Sequence, residues 1–210
     1  MRMIPKYWQK LLLNVLGANM ATIYLGLVHH PIYNKNGKVV TTAITNFDVH
    51  DIARTSRTYN IKRYFIIHPL ESQVSLAKEI IDYWQNGSGS QYNPDRAEAF
   101  SILDIIPDIE RAVAVISELE GVKPMIVTTD ARKFPNTISY NKLREAFETE
   151  DRPCLLLFGT GWGIEKSVME KFDYILEPIY GPTDYNHLPV RAAVAIILDR
   201  LLGERWWASS

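Results

Sequence analysis

Three glycines alternate at the end of an apolar run. The stretch Phe158-Gly159-Thr160-Gly161-Trp162-Gly163-Ile164 follows Leu155, Leu156 and Leu157. Glycines in such a turn permit positive φ angles and let a ligand approach the backbone. The spacing is G-x-G-x-G and falls late in the chain, whereas a dinucleotide fingerprint has G-x-G-x-x-G after a first strand. That match is weak, and a P-loop is excluded. Lys166-Ser167 is present, but Glu165 stands where the preceding glycine belongs and would put a carboxylate among phosphates. Alone, the triplet reads first as a tight strand-to-helix turn without a ligand. It is not alone. Thr128-Thr129 ends another apolar run, and a loop over 177–188 with Pro178, Gly181, Pro182 and Asn186 follows a third. In a parallel sheet these three loops share one edge, where open α/β sheets bind ligands. Their backbone N–H and C=O groups suit an adenine and a ribose better than a free phosphate.

The elements that must position these loops are legible as patterns. Apolar runs predict strands over 22–28, 64–67, 102–106, 123–129, 154–158 and 174–176, with 38–45 either a short strand or a loop. Helical spacing predicts helices over 48–60, 75–84, 109–119 and 140–150, and a last one opened by Pro189. In the helix over 48–60, Asp48 is the expected N-cap, with Asp51 close to a capping box. Arg54 and Arg57 there are three apart and share a face. The NGSGS stretch over 86–90 reads as the most flexible in the chain. Strands and helices alternate, about six of each, which predicts an α/β fold: a parallel sheet with helices on both faces.

The 210 residues suffice for one well-buried domain, with 47% hydrophobic and 22% charged residues. A net charge of −1 gives no global field to recruit a polyanion, so any nucleic-acid contact rests on local patches or a partner. One cysteine, Cys154, excludes an internal disulfide framework and fits a reducing compartment, so the protein is expected in the cytoplasm. The longest apolar stretch near the start, 11–16, is far short of the about 20 residues a membrane span needs. No metal is expected, because His29-His30 are adjacent and face different ways, and no other Cys/His/carboxylate set has ligand spacing. Residues 1–19 read as an N-terminal appendage with Trp8, Leu11, Leu12, Val15 and Leu16 at helical spacing, and residues 20–210 as a single domain.

Three stretches carry a likeness to a known family. NFDVHDIARTSRTYNIKRY over 46–64, LLLFGTGWGI over 155–164 and ILEPIYGPTDYNHLPVRAAVAIILDRL over 175–201 resemble, in order, the three motifs of the SPOUT RNA methyltransferases. The resemblance spans residues 21–202. More narrowly, the chain is similar to SPOUT domains known mainly as predicted RNA methyltransferases and sometimes joined to a tRNA guanine methyltransferase domain.

The resemblance implies a C-terminal trefoil knot and an S-adenosylmethionine (SAM) site in the knot loops. Thr128, Thr129, Phe158, Gly159, Thr160, Gly161, Gly163, Ile164, Leu176, Pro178, Ile179, Gly181, His187 and Leu188 would hold the cofactor. It also implies a homodimer packed through the last helix, whose residues 192–198 are apolar all round. The expected substrate is a structured RNA, tRNA above all. Arg54 matches the motif-one arginine of ribose-methylating members, while a solvated arginine beside Arg57 is its other reading. Asn186 matches the third motif, but Tyr185 replaces the serine that often precedes it. His187-Leu188-Pro189 is instead similar to the guanine-methylating branch, which leaves base and ribose both open. Asp184 would act as a base on a guanine nitrogen, or serve as a loop cap. Arg54, Arg57, Lys62, Arg63, Arg132 and Lys133 would form an RNA-phosphate patch at the mouth of the site, or simply a solvated surface. Trp206-Trp207 would pack under a dimer or meet a partner.

Two other readings stand beside this one. In the first, the chain is a cofactor-binding or dimerising module that serves a partner methyltransferase. In the second, it binds a phosphate-bearing nucleotide and has no connection with RNA.

Overall fold

A computed structural model describes residues 20–203. The chain runs β1 (Ile23–Val28), β2 (Ile32–Tyr33), β3 (Val39–Val40), α1 (Asn46–Thr58), β4 (Tyr64–Ile67), α2 (Glu71–Gln85), α3 (Ser88–Tyr92), α4 (Pro94–Phe100) and β5 (Leu103–Ile106). It continues through α5 (Ile109–Glu120), β6 (Met125–Thr129), β7 (Thr137–Ile138), α6 (Tyr140–Thr149), β8 (Cys154–Gly159), α7 (Lys166–Met169), β9 (Tyr174–Leu176) and α8 (Val190–Leu202). Seven strands form one sheet in the order β5-β4-β1-β8-β6-β9-β7, and every pairing in it is parallel. β2 and β3 form a separate antiparallel hairpin.

Alternation along the strands sends side chains to two cores. Ile23, Leu25 and Leu27 of β1, with Cys154, Leu156 and Phe158 of β8, join residues of α1, α6 and α8. Tyr24 and Val28, with Leu155 and Leu157, meet Ile109, Ala112 and Ile116 of α5, Met169 of α7 and Ile32 of the hairpin. A sheet covered on both faces explains why its central strands are apolar at nearly every position.

The α/β parallel sheet with helices on both faces is as expected, with seven strands in place of about six. The added strand, β7, is two residues on the far edge and has no apolar run to announce it. Three local corrections have physical causes. α1 starts at Asn46, capped by Thr45, whose side chain accepts from the Asp48 N–H and donates to Asp48 Oδ2 at 2.6 Å. The reciprocal pair is therefore Thr45–Asp48 and not Asp48–Asp51. The NGSGS stretch is largely helical, with Gly89 buried in α3, where a Cβ would sit 2.8 Å from both the Trp84 and Tyr83 rings. Its glycines serve close packing and not mobility. α4 was missed, although Asn93 caps it and Pro94 opens it. Residues 1–19 and Trp206-Trp207 lie outside the described residues.

Candidate functional site

Parallel pairing puts the carboxyl ends of β1, β8, β6 and β9 on one edge. A cavity of about 860 Å³ opens there. Ligand sites commonly run from about 300 to 1,000 Å³.

The first wall is the glycine loop. Gly161 and Gly163 have φ of 54° and 93°, a region costly for other residues. The hairpin holds this loop from the far end of the chain. Trp162 N donates to Tyr33 O at 3.1 Å, Tyr33 N donates to Gly163 O at 2.9 Å, and Gly163 N donates back to Thr160 O. Two of the loop's N–H groups are thus used inside the protein, fewer than expected being left for a ligand. A Cβ on Gly161 would meet Ile32 Cγ2 at 3.0 Å, so a side chain there disturbs the hairpin as well as the cavity. Glu165 caps α7 and accepts from the Tyr33 hydroxyl at 2.9 Å. Its bonds from Ser167 hold the carboxyl down at about 2.

The second wall follows β6. Asp130 accepts two bonds from the Arg132 guanidinium, each at 2.9 Å, and Gly163 leaves room for that carboxylate. The third is the loop after β9, tied by Asn186 Nδ2 donating to Ala131 O at 2.6 Å. The floor comes from the start of α1, with Thr45 and Asp48, and from Val190, Ala193 and Ile197 of α8.

Below the glycine loop lies a chain of polar groups. Thr160 Oγ1 donates to Val28 O at 3.0 Å, and its hydroxyl oxygen lies 2.6 Å from Thr42 Oγ1. Thr42 Oγ1 lies 3.1 Å from His29 Nδ1. His68 accepts from Leu70 N at Nδ1, so its Nε2 carries the proton and donates to Thr42 O at 3.0 Å. Burial, with His68 beside it, pushes the His29 imidazole down to about 4 and keeps it neutral.

The cavity brings together many of the expected residues: Thr129, Phe158, Gly159, Thr160, Gly161, Gly163, Pro178, Ile179, Asn186, His187, Leu188 and Arg132. It leaves out others. Thr128 and Leu176 are buried in the sheet, and Ile164 is buried against Ile32. Gly181 and Asp184 are exposed outside the lining. The expected basic patch is dispersed. Lys62 and Arg63 precede β4 and so sit at the opposite, amino edge of the sheet, with Arg63 paired to Asp104. Arg57 pairs with Glu98. Arg54 lines a separate groove of about 530 Å³ between α1 and α2. Lys133 sits over the Tyr180 ring. Helix periodicity grouped Arg54 with Arg57 correctly, but proximity in sequence does not put Lys62 and Arg63 on the same side of the sheet.

Sequence reasoning missed Thr42, Thr45, Asp48, Asp130, Trp162, Glu177, Tyr185, Ala193 and Ile197, which also line the cavity. Trp162 and Asp130 were within reach, being inside the glycine loop and directly after Thr129. Thr42 carried no signal, because its place depends on a hairpin folding back onto the loop.

Comparison with known proteins adds the following. The model of a family described as SAM-dependent RNA methyltransferase matches residues 22–203. An uncharacterized protein of Aquifex aeolicus (strain VF5) is 44% identical over 179 residues, covering 85% of this chain and 87% of that protein. A tRNA (guanine-N(1)-)-methyltransferase of Oleidesulfovibrio alaskensis is 39% identical over 182 residues, covering 87% of this chain but 42% of that protein. A relative of the same description in Nitratidesulfovibrio vulgaris is 41% identical over 182 residues, and the chain again spans 42% of its length. Among solved structures, the A. aeolicus TrmH/SpoU tRNA modifying enzyme has a TM-score of 0.52 at 15% identity, covering 97% of this chain and 85% of that one. The SpoU methyltransferase AviRb of Streptomyces viridochromogenes, in complex with AdoMet, has a TM-score of 0.54 at 14% identity, covering 92% and 60%. The structural likenesses speak to fold alone, and on the family match the chain belongs to the SAM-dependent RNA methyltransferases.

Proposed function

We propose that the cavity at the glycine loop holds SAM and that the chain methylates a tRNA in the cytoplasm. The charge of the lining carries this reading. Among the described residues the lining has three carboxylates, Asp48, Asp130 and Glu177, and one guanidinium, Arg132, which pairs with Asp130, while Arg191 just outside it lies 3.6 Å from Asp48, so acidic groups outnumber basic ones by one. Such a lining repels a nucleotide polyphosphate and suits an adenosyl compound with a sulfonium and an ammonium group. Phe158, Ile179, Leu188, Ala193 and Ile197 give the adenine an apolar bed.

SAM supplies an electrophilic methyl group on its sulfonium sulfur. The chain's own contribution is to fix that group relative to a nucleophile and to keep water away. The hairpin-clamped glycine loop and the Asn186–Ala131 tie hold two walls at a set separation. Asp184, exposed outside the lining, is poorly placed as a base, and the carboxylates facing the cavity are Asp48, Asp130 and Glu177.

The reading extends to a trefoil knot and a dimer. β9 lies between β6 and β7, which precede it in sequence, and the loop after it is tied to the β6–β7 connection at Ala131. That is the arrangement expected if the C-terminal segment is threaded. α8 has an apolar sequence, yet Ala192, Ala195 and Ile196 are only half-buried, which supports a partner copy on that face. In such a dimer, Arg54 on the neighbouring α1 would act at the partner's cavity and not its own.

Calorimetric titration with SAM and with its demethylated product, S-adenosylhomocysteine, tests the cofactor site. Binding is expected for both, and loss of it in Gly161→Arg. A folded wild-type protein that binds neither ends the reading. A second reading stays in view because more than half of the two tRNA (guanine-N(1)-)-methyltransferases lies outside this chain. Their printed activity can reside in that remainder, with this unit serving it. Methyl transfer to tRNA by the isolated chain excludes that reading.

A further inference from the structure

We infer that Trp162 and Tyr185 form an aromatic pair at the mouth of the cavity that stacks on an unpaired nucleobase of the RNA substrate. The inference rests on reading the cavity as the SAM site and adds a substrate subsite to it. Both residues line the same cavity, yet Trp162 is 61% exposed and Tyr185 72% exposed. A side chain that lines a cavity while mostly exposed stands at its opening. Phe158 and Ile197 of the same lining are, by contrast, buried.

Both rings are held on anchored backbone. Trp162 lies between Gly161 and Gly163, both at positive φ, and its N–H is bonded to Tyr33 O at 3.1 Å. The loop is therefore fixed while its indole is turned outward. Tyr185 stands edge-on to His187, ring centroids 5.9 Å apart, and Asn186 between them is turned inward to Ala131 O. The two loops thus bring two exposed aromatic rings to the same cavity, each beside anchored backbone. A solvent-facing indole on anchored backbone is a poor contributor to the fold and a good stacking surface.

The ligand chemistry follows from the faces and the charge. An aromatic face accepts any base, and does so without hydrogen-bond readout. A base inside a duplex has both faces covered, so the target must be unpaired or turned out of its stack. Arg132, paired to Asp130 yet with its side chain 58% exposed, lines the same cavity. Lys133 follows it, over the Tyr180 ring. These two cations stand where a phosphate flanking the stacked base would need them.

The experiment measures two affinities on each protein: for a pool of unmodified tRNA transcripts, by fluorescence anisotropy, and for S-adenosylhomocysteine, by calorimetry. The variants are Trp162→Ala, Tyr185→Ala, and the ring-keeping Trp162→Phe and Tyr185→Phe. Each alanine variant is expected to raise the Kd for the tRNA pool by about tenfold, and each phenylalanine variant to restore most of the loss. The Kd for S-adenosylhomocysteine is expected to move by less than about threefold, since binding there uses the deeper lining. Wild-type tRNA affinity in both alanine variants overturns the inference. So does a loss of S-adenosylhomocysteine binding in Trp162→Ala that Trp162→Phe restores, which would give the indole to the cofactor. Failure of the wild-type protein to bind the tRNA pool also overturns it, and intact S-adenosylhomocysteine binding would then leave the cofactor site standing. Failure to bind S-adenosylhomocysteine removes both.

Discussion

Thr160 and Thr42, 118 residues apart in sequence, bring their hydroxyl oxygens within 2.6 Å of each other. The contact fastens the glycine loop to the segment that follows the β2–β3 hairpin. Thr160 also donates to Val28 O at the end of β1, so one side chain joins three parts of the site. Replacing it by valine keeps the shape and removes both bonds, leaving polar partners short. Thr160→Val is expected to cost about 1–3 kcal/mol in urea unfolding, and Thr160→Ser to recover most of that.

Gly161 and Gly181 provide a matched contrast. Gly161 is at φ 54°, with Ile32 Cγ2 3.0 Å from where a Cβ would lie. Gly181 lies outside the positive-φ set, with nothing among the described residues within 4 Å of such a Cβ. Gly161→Ala is expected to lose about 1–2 kcal/mol of stability and to weaken SAM binding. Gly181→Ala should stay within about 0.5 kcal/mol of wild type. Thermal unfolding and calorimetry on the pair decide whether the loop's conformation or merely its small size matters.

The buried His29 makes stability depend on pH. Its folded value is about 4, below the ordinary 6.5, so between these the unfolded chain takes up a proton that the folded chain refuses. Stability is full above about pH 6.5 and falls as pH drops toward 4, by on the order of 3 kcal/mol. Urea titrations at pH 7.5 and 4.5 should show that loss in the wild type and a smaller one in His29→Gln. An equal loss in the variant would assign the effect to other groups.

Ile196, half-buried on α8, tests the partner copy. Light scattering is expected to give a dimer for the wild type and a monomer for Ile196→Glu, because a carboxylate cannot be buried unpaired in an apolar interface. A wild-type monomer would remove the dimer, and with it the role for Arg54 at a partner's cavity.

How far the sequence could be read depended on how locally each feature is determined. β4 and β9 fell within their expected bounds, because short apolar runs between turn residues leave little choice of register. The glycine loop was legible for the same reason: Gly161 and Gly163 mark their own conformations. Thr42, Asp48 and Ala193 were not, because their place at the cavity comes from tertiary packing of the hairpin, α1 and α8 around the sheet edge. Lys62 and Arg63 failed differently. Nearness in the chain groups them with Arg54, but α1 carries the backbone from the carboxyl edge of the sheet back to the amino edge, where β4 starts.

The strand order has a consequence for biosynthesis. β8 is the middle strand, with β1 on one side and β6 on the other, yet it begins only at Cys154. A ribosome therefore releases β1, β4, β5 and β6 long before the strand that joins them into one sheet. Until then β1 and β6 each offer an unpaired, largely apolar edge to anything nearby, the condition under which nascent chains aggregate or recruit chaperones. The same strand ends in the glycine loop, so the joining of the sheet's two halves and the first wall of the ligand edge arrive together, before β9, its loop and α8 complete both.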